Sequence, residues 1–217
     1  MKRFAPVLII VIVFAAAVIA GFWLFRAGPK RDPLPGGPSA SPTTPVAANV
    51  VVTLEEFGDY QCPPCAELHP TLKKLKQEFG SSLNFVFRNL PLSTIHKNAL
   101  PAARAAEAAR MQNRFWEMHD LLYENQSQWA EAQHPGPIFL NFARGLGLDL
   151  ERFERDQDDK QVQLRIEADQ DAAARLGIDG TPTILIEGRK LRVEATNPDG
   201  IRKGIEVMMT RKNSPAS

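Results

Sequence analysis

Two cysteines, Cys62 and Cys65, are the only ones in the 217 residues, and two prolines, Pro63 and Pro64, separate them. One dithiol excludes a disulfide-stapled mini-fold and a four-cysteine zinc site. It leaves a redox couple, half of a metal site or an inert pair. The flanking sequence separates these readings. A β-branched run, Asn49 to Phe57, precedes the pair, and a helical pattern from Ala66 to Phe79, ending at Gly80, follows it. A cysteine at the start of a helix feels the macrodipole and the free N–H groups, which favour its thiolate. Cys62 is then the low-pKa thiol. Cys65, one turn on, is the more buried partner able to close or resolve a disulfide.

Other residues that could carry chemistry fall into place around this pair. Glu56 lies on the strand before it, either as an exposed strand-end residue or as a buried carboxyl, whose pKa loss of solvation would raise until it exchanges a proton near neutrality. Glu55 faces the opposite way on a period-2 strand. Tyr60 and Gln61 are expected at the rim of the site, and Asp59 in a turn beside it. The histidines His69, His96, His119 and His134 do not space into a recognised zinc set with the cysteines, so no metal ligands are assigned. His96 and His119 read as capping or core residues. Lys+Arg 26 against Asp+Glu 25 gives a formal net charge of +1, without the basic footprint of a nucleic-acid binder.

The elements that must position these groups alternate. After the first strand and helix come a strand at Leu83 to Leu90 and a long helical block. In that block Ala99 to Ala109 is alanine-rich. Met111, Phe115, Met118 and Leu122 mark an apolar face, with Arg104, Glu107, Arg110, Arg114 and Glu117 on the other. Helices follow at Ile138 to Arg144, Asp149 to Asp156 and Lys160 to Leu176, with Asp156 to Lys160 a solvated run. A loop then leads to a strand at Thr183 to Ile186, a hairpin partner at Leu191 to Val193, and a last helix, Asp199 to Thr210, capped by Asn197-Pro198.

Ahead of this domain, Ala5 to Phe25 is apolar throughout and flanked by Lys2, Arg3 and Arg26. It suits a span of about 20 residues better than a signal-peptide core of about 7 to 15. Pro29, Pro33, Pro35, Pro38, Pro42 and Pro45 mark a stretch that cannot bury a core. The organisation expected is an N-terminal transmembrane anchor over residues 1–26, a linker over 27–47 and a domain over 48–212, with a helical insertion at about 93–176. Flanking charges do not set the orientation. Dithiol chemistry places the domain outside the cytoplasm.

The sequence resembles the thioredoxin superfamily, and within it the DsbA-like thiol:disulfide oxidoreductases. The resemblance is carried by Glu56-Phe-Gly-Asp-Tyr-Gln-Cys-Pro-Pro-Cys65, by Pro70 where such helices carry a kink proline, and by His96-Lys-Asn-Ala99. Phe115-Trp-Glu-Met-His-Asp120 and Gly180-Thr-Pro-Thr183 add to it. It covers about residues 48 to 210. It implies an α/β thioredoxin-like fold with an inserted helical subdomain, Cys62 attacking and Cys65 resolving, Glu56 as the buried acid, and Pro182 in a cis bond. Thr181 and Pro182, with Pro63, Pro64 and Tyr60, would meet the substrate.

The activity implied is oxidation of cysteines in secreted proteins by a membrane-tethered monomer. No cofactor is needed beyond the Cys62–Cys65 disulfide, which a DsbB-like or VKOR-like membrane partner restores. A reductase or isomerase would use the same residues, and a non-catalytic tethered chaperone or metal carrier would not need Cys62. Cys-Pro-Pro-Cys departs from Cys-Pro-His-Cys members. Two prolines remove N–H donors that would stabilise the thiolate, so a less oxidising couple is expected.

Overall fold

The structure, a computed structural model, describes residues 50–214. The anchor expected over 1–26 and the linker over 27–47 lie outside them. No helix among the described residues is long and apolar enough to cross a membrane.

Strand β1 (Val52–Gly58) is the spine of the domain. It pairs in parallel with β2 (Leu83–Asn89) on one side and antiparallel with β3 (Thr183–Ile186) on the other. The two-residue β4 (Arg189–Lys190) completes the order β2-β1-β3-β4. Burial along β1 alternates from Val52 to Glu55 and becomes continuous from Glu56 to Gly58.

Helix α1 (Pro63–Phe79) connects β1 to β2. Pro63 and Pro64 fill its first two positions, where an N–H would have no partner, and Gly80 ends it at φ 51°. Leu68, Leu72 and Leu75 of α1 join Val52, Leu54, Ile184 and Ile186 of the sheet in one core. The last helix, α8 (Pro198–Asn213), adds Ile201 and Ile205 to that core. Asn197 caps α8 as expected, its Oδ1 accepting the Gly200 N–H at 3.0 Å.

The insertion between β2 and β3 holds α2 (Ala99–Arg110), α3 (Phe115–Glu124), the single turn α4 (Gln126–Trp129), α5 (Gly136–Gly145), α6 (Leu150–Asp156) and α7 (Lys160–Arg175). Its centre is α2, whose alanines are buried on nearly every side. Small side chains let α3, α5, α6 and α7 all approach it.

Three expectations are corrected here. Glu107, assigned to the solvent face of α2, is 1% exposed. It accepts Asn89 Nδ2 at 2.9 Å and Arg110 Nε at 2.7 Å, so its charge is paired inside the domain. Asp156, assigned to a solvated run, is buried and pairs with Arg152 at 3.2 Å, while Asp159 caps α7 through the Gln161 N–H at 2.7 Å. The hairpin partner of β3 is Arg189–Lys190 rather than Leu191 to Val193. Glu187 and Gly188, at φ 51° and 71°, form a two-residue turn of the hairpin type, which starts β4 at once. Leu191 still donates to the Ile184 carbonyl at 2.8 Å, after which Val193–Ala195 turns into a 3-10 helix.

Candidate active site

The chain leaves β1 at Gly58 and makes a tight turn before α1. Asp59 organises that turn. Its backbone carbonyl accepts the Cys62 N–H at 3.1 Å, and its Oδ1 accepts the Gln61 N–H at 2.7 Å. Oδ2 takes the Leu92 N–H at 2.9 Å and lies 2.8 Å from His96 Nδ1. From the insertion, Gln126 Nε2 donates to the carbonyls of Tyr60 at 2.8 Å and Cys62 at 3.0 Å. The dithiol segment is thus fixed from both sides by side chains distant in sequence.

Cys62 is the N-cap of α1, and both cysteines are free thiols. Cys62 keeps a narrow opening at 5% exposed, whereas Cys65 is at 0%. The Cys62 thiol is pulled down to about 6, chiefly by a hydrogen bond from Cys65. The Cys65 backbone N–H adds to this, against desolvation and the Asp59 charge. Two of the N–H groups at this helix start are missing because of Pro63 and Pro64, and the Cys65 N–H takes up the task. Burial pushes the Cys65 thiol far up, helped by its bond to Cys62 and the nearby Glu56. One sulfur is therefore ionised at neutral pH and its neighbour is held protonated.

Glu56 sits on the β1 face that carries Val52 and Leu54, opposite Phe87 on β2 and Ile184 on β3. It is 1% exposed and its Oε1 has no hydrogen-bond partner. Burial, with the Cys62 charge second, raises its pKa to about 8. Such a carboxyl is neutral at rest and can release or take a proton close to physiological pH.

The far wall comes from the loop before β3. Its Thr181–Pro182 bond is cis, and Cys62 Sγ lies 3.5 Å from the Thr181 carbonyl oxygen, the thiol donating. Thr183 Oγ1 donates to the Gly180 carbonyl at 2.8 Å and pins the loop. A strand that carries an acid, a helix that begins at a dithiol and a cis-proline loop facing the sulfur meet at one point.

The Thioredoxin family profile matches residues 46–206. The chain belongs to the thioredoxin family. Among solved structures, BdbD from Bacillus subtilis in its oxidised form is similar at 26% identity and a TM-score of 0.64, covering 73% of this chain and 88% of that one. A thioredoxin-like oxidoreductase from Silicibacter pomeroyi matches at 27% identity and a TM-score of 0.61, over 76% and 88% of the two chains. The thiol-disulfide exchange protein α-DsbA2 of Wolbachia pipientis shares the fold at 21% identity and a TM-score of 0.63, over 74% and 83%.

The curated relatives carry a different name. A Na(+)/H(+) antiporter NhaA 1 of Salinispora arenicola is 40% identical over 139 residues, which are 64% of this chain and 20% of that protein. The NhaA of Herminiimonas arsenicoxydans is 38% identical over 141 residues, 65% and 21% of the two. The chain spans about a fifth of the length of these relatives. The enzyme class that goes with the DsbA-like family is protein-disulfide oxidoreductase.

Within this family frame, the residues singled out from sequence divide. Cys62, Cys65, Glu56, Thr181 and Pro182 are gathered at the site, and Pro63 and Pro64 are exposed beside the sulfur. Tyr60, expected on the rim among the substrate contacts, is corrected. It is 1% exposed, packs on Phe87 and Tyr123, and its hydroxyl lies 3.0 Å from His119 Nδ1. Gln61 is likewise buried, donating to the Ala130 carbonyl at 2.7 Å and accepting the Asn98 N–H at 2.7 Å. Gln126 and the Asp59–His96 contact escaped sequence reading. Nothing local marks Gln126, and nothing in His96-Lys-Asn-Ala99 points to Asp59 as a partner.

Proposed function

We propose that this chain is a membrane-tethered, extracytoplasmic oxidase of protein thiols. In the oxidised enzyme, a substrate thiolate attacks the Cys62 sulfur. The Cys62–Cys65 bond breaks, Cys65 leaves, and Glu56 supplies its proton. A second substrate thiolate then attacks the substrate sulfur of the mixed disulfide and expels Cys62 as a thiolate. Two electrons have moved from the substrate to the enzyme, and a DsbB-like or VKOR-like membrane partner takes them on. The substrate backbone runs beside Thr181 and Pro182 as an added strand, with Pro63 and Pro64 forming the exposed lip.

The observation that carries the reading is the split between the two sulfurs, Cys62 lowered to about 6 and Cys65 raised. A stabilised thiolate leaves readily and favours the reduced enzyme, which is the property of an oxidant. The missing N–H groups of Pro63 and Pro64 favour the second reading, a reductase or isomerase on the same site. The reduction potential of the full chain in glutathione buffers, read by mass tagging of free thiols, separates an oxidase from a reductase. An oxidase or isomerase falls at about −120 to −200 mV, and a value near about −270 mV or below overturns the direction. Cys62→Ala abolishes exchange in either direction, and retained activity in cells would favour a binding module instead.

A further inference from the structure

Between α1, α3 and β2 lies an open cavity of about 320 Å³ lined by His69, His119, Asp120, Lys73, Phe85 and Trp116. His69 and His119 are both buried, and their rings stand 5.3 Å apart. His69 Nε2 has no hydrogen-bond partner, and Asp120 Oδ1 lies 3.5 Å from it. That separation is long for a hydrogen bond, and an unsatisfied buried nitrogen is a place where a water or an ion can sit.

We propose that His69, His119 and Asp120 form a binding site for a zinc-type divalent cation, open to a fourth ligand on the cavity side. One ligand atom from each of the three lies within 4.8 Å of the others. A tetrahedral zinc with bonds of about 2.0 to 2.1 Å needs its ligands about 3.3 to 3.4 Å apart. The His69–Asp120 separation of 3.5 Å already nearly matches, and the widest gap closes with side-chain movement.

The surroundings are those of a ligand set. His119 Nδ1 lies 3.0 Å from the Tyr60 hydroxyl, so an Nδ1–H donated there leaves the Nε2 lone pair free. Both imidazoles are buried, and the aromatic ring of Tyr123 packs against each of them. Lys73 Nζ holds Asp120 Oδ2 at 2.7 Å and so presents Oδ1 to the cavity. The same Nζ also meets Glu124 at 2.7 Å, so two carboxylates offset its charge. Lys76 is the second cation of the cavity, and its Nζ sits 3.6 Å from the centre of the Trp116 ring. Two neutral imidazoles and one carboxylate favour zinc over calcium or magnesium, which take oxygen ligands.

The site does not rest on the redox reading, and its test removes the dithiol. The full chain carrying Cys62→Ser and Cys65→Ser is titrated with zinc against a chromophoric chelator, and with cobalt for visible absorption. One equivalent of zinc binds, and cobalt gives the intense bands of a four-coordinate site. Asp120→Asn, a half-exposed change that leaves the core alone, weakens binding by about ten-fold or more, and His69→Asn does the same. No binding at about 100 μM zinc, or binding unchanged by both substitutions, overturns the proposal.

Discussion

Replacing Glu56 by Gln changes how stability depends on pH, and the size of the change follows from the burial of this side chain. In the folded protein Glu56 ionises at about 8, against 4.5 for an unperturbed carboxyl. Its folded pKa is raised, so the neutral carboxyl contributes fully below 4.5, and that contribution is lost as the pH rises through about 8. Between pH 5 and pH 7 the unfolded chain sheds this proton and the folded chain largely keeps it. The resulting loss is about 2.5 kcal/mol, from about 1.4 kcal/mol per pH unit when the slope is full. Cys62 works in the opposite sense. Its folded pKa is depressed to about 6, so its contribution is present above 9.0 and lost as the pH falls through about 6. Subtracting wild type from Glu56→Gln at each pH removes the Cys62 contribution except for its coupling to Glu56, which is the smaller cause of the raised carboxyl pKa.

The assay is urea unfolding of the full chain under reductant at pH 5, 6, 7 and 8. Glu56→Gln gains on wild type by about 2.5 kcal/mol from pH 5 to pH 7, and the difference flattens above about pH 8. The absolute offset also contains the unpaired Gln amide, a pH-independent cost of about 1 to 3 kcal/mol, so the slope is the diagnostic. A difference that stays constant with pH refutes a buried, neutral Glu56.

Two further outcomes follow from the site. Pro64→His restores an N–H at the second position of α1 and adds a donor to the Cys62 thiolate, so the potential rises by about 30 mV for each 1.4 kcal/mol of thiolate stabilisation. No change or a fall in glutathione titration removes the reasoning from the missing donors. Asn98→Ala strips Nδ2 from the carbonyls of Trp129 at 3.1 Å, Ala130 at 3.0 Å and Ala132 at 2.8 Å. Unfolding stability drops by about 2 kcal/mol in urea, and an unchanged midpoint contradicts a structural role for this side chain.

The parts of the site that sequence makes legible are those set by local rules. Cys62 and Cys65 announce themselves by spacing between a strand and a helix, and the period-2 pattern of β1 puts Glu56 on the apolar face. Asn197 and Gly80 mark helix ends by their own chemistry. What stayed hidden depends on partners far along the chain. Tyr60 looks amphipathic enough for a rim, and it is buried because His119 arrives to meet its hydroxyl. Glu107 follows the charged stripe of a helical wheel, yet Asn89 and Arg110 take it inside. His69 and His119 are remote in sequence, so no spacing rule joins them, and only the packing of α1 against α3 does.

The pairing of β1 has a consequence for how the site comes into being. Its parallel neighbour β2 follows soon after α1, but the antiparallel neighbour β3 and the Thr181 carbonyl belong to the last third of the chain, Thr181 being 119 residues on from Cys62. Until β3 docks, one edge of β1 presents unpaired N–H and C=O groups, and the dithiol beside it has no opposing wall. The whole helical insertion must be made in between. Contacts so distant are slow to form because loop closure must precede them. The reactive sulfur therefore exists before the groove that gives it selectivity, and the newborn enzyme is for a time an unguarded thiol.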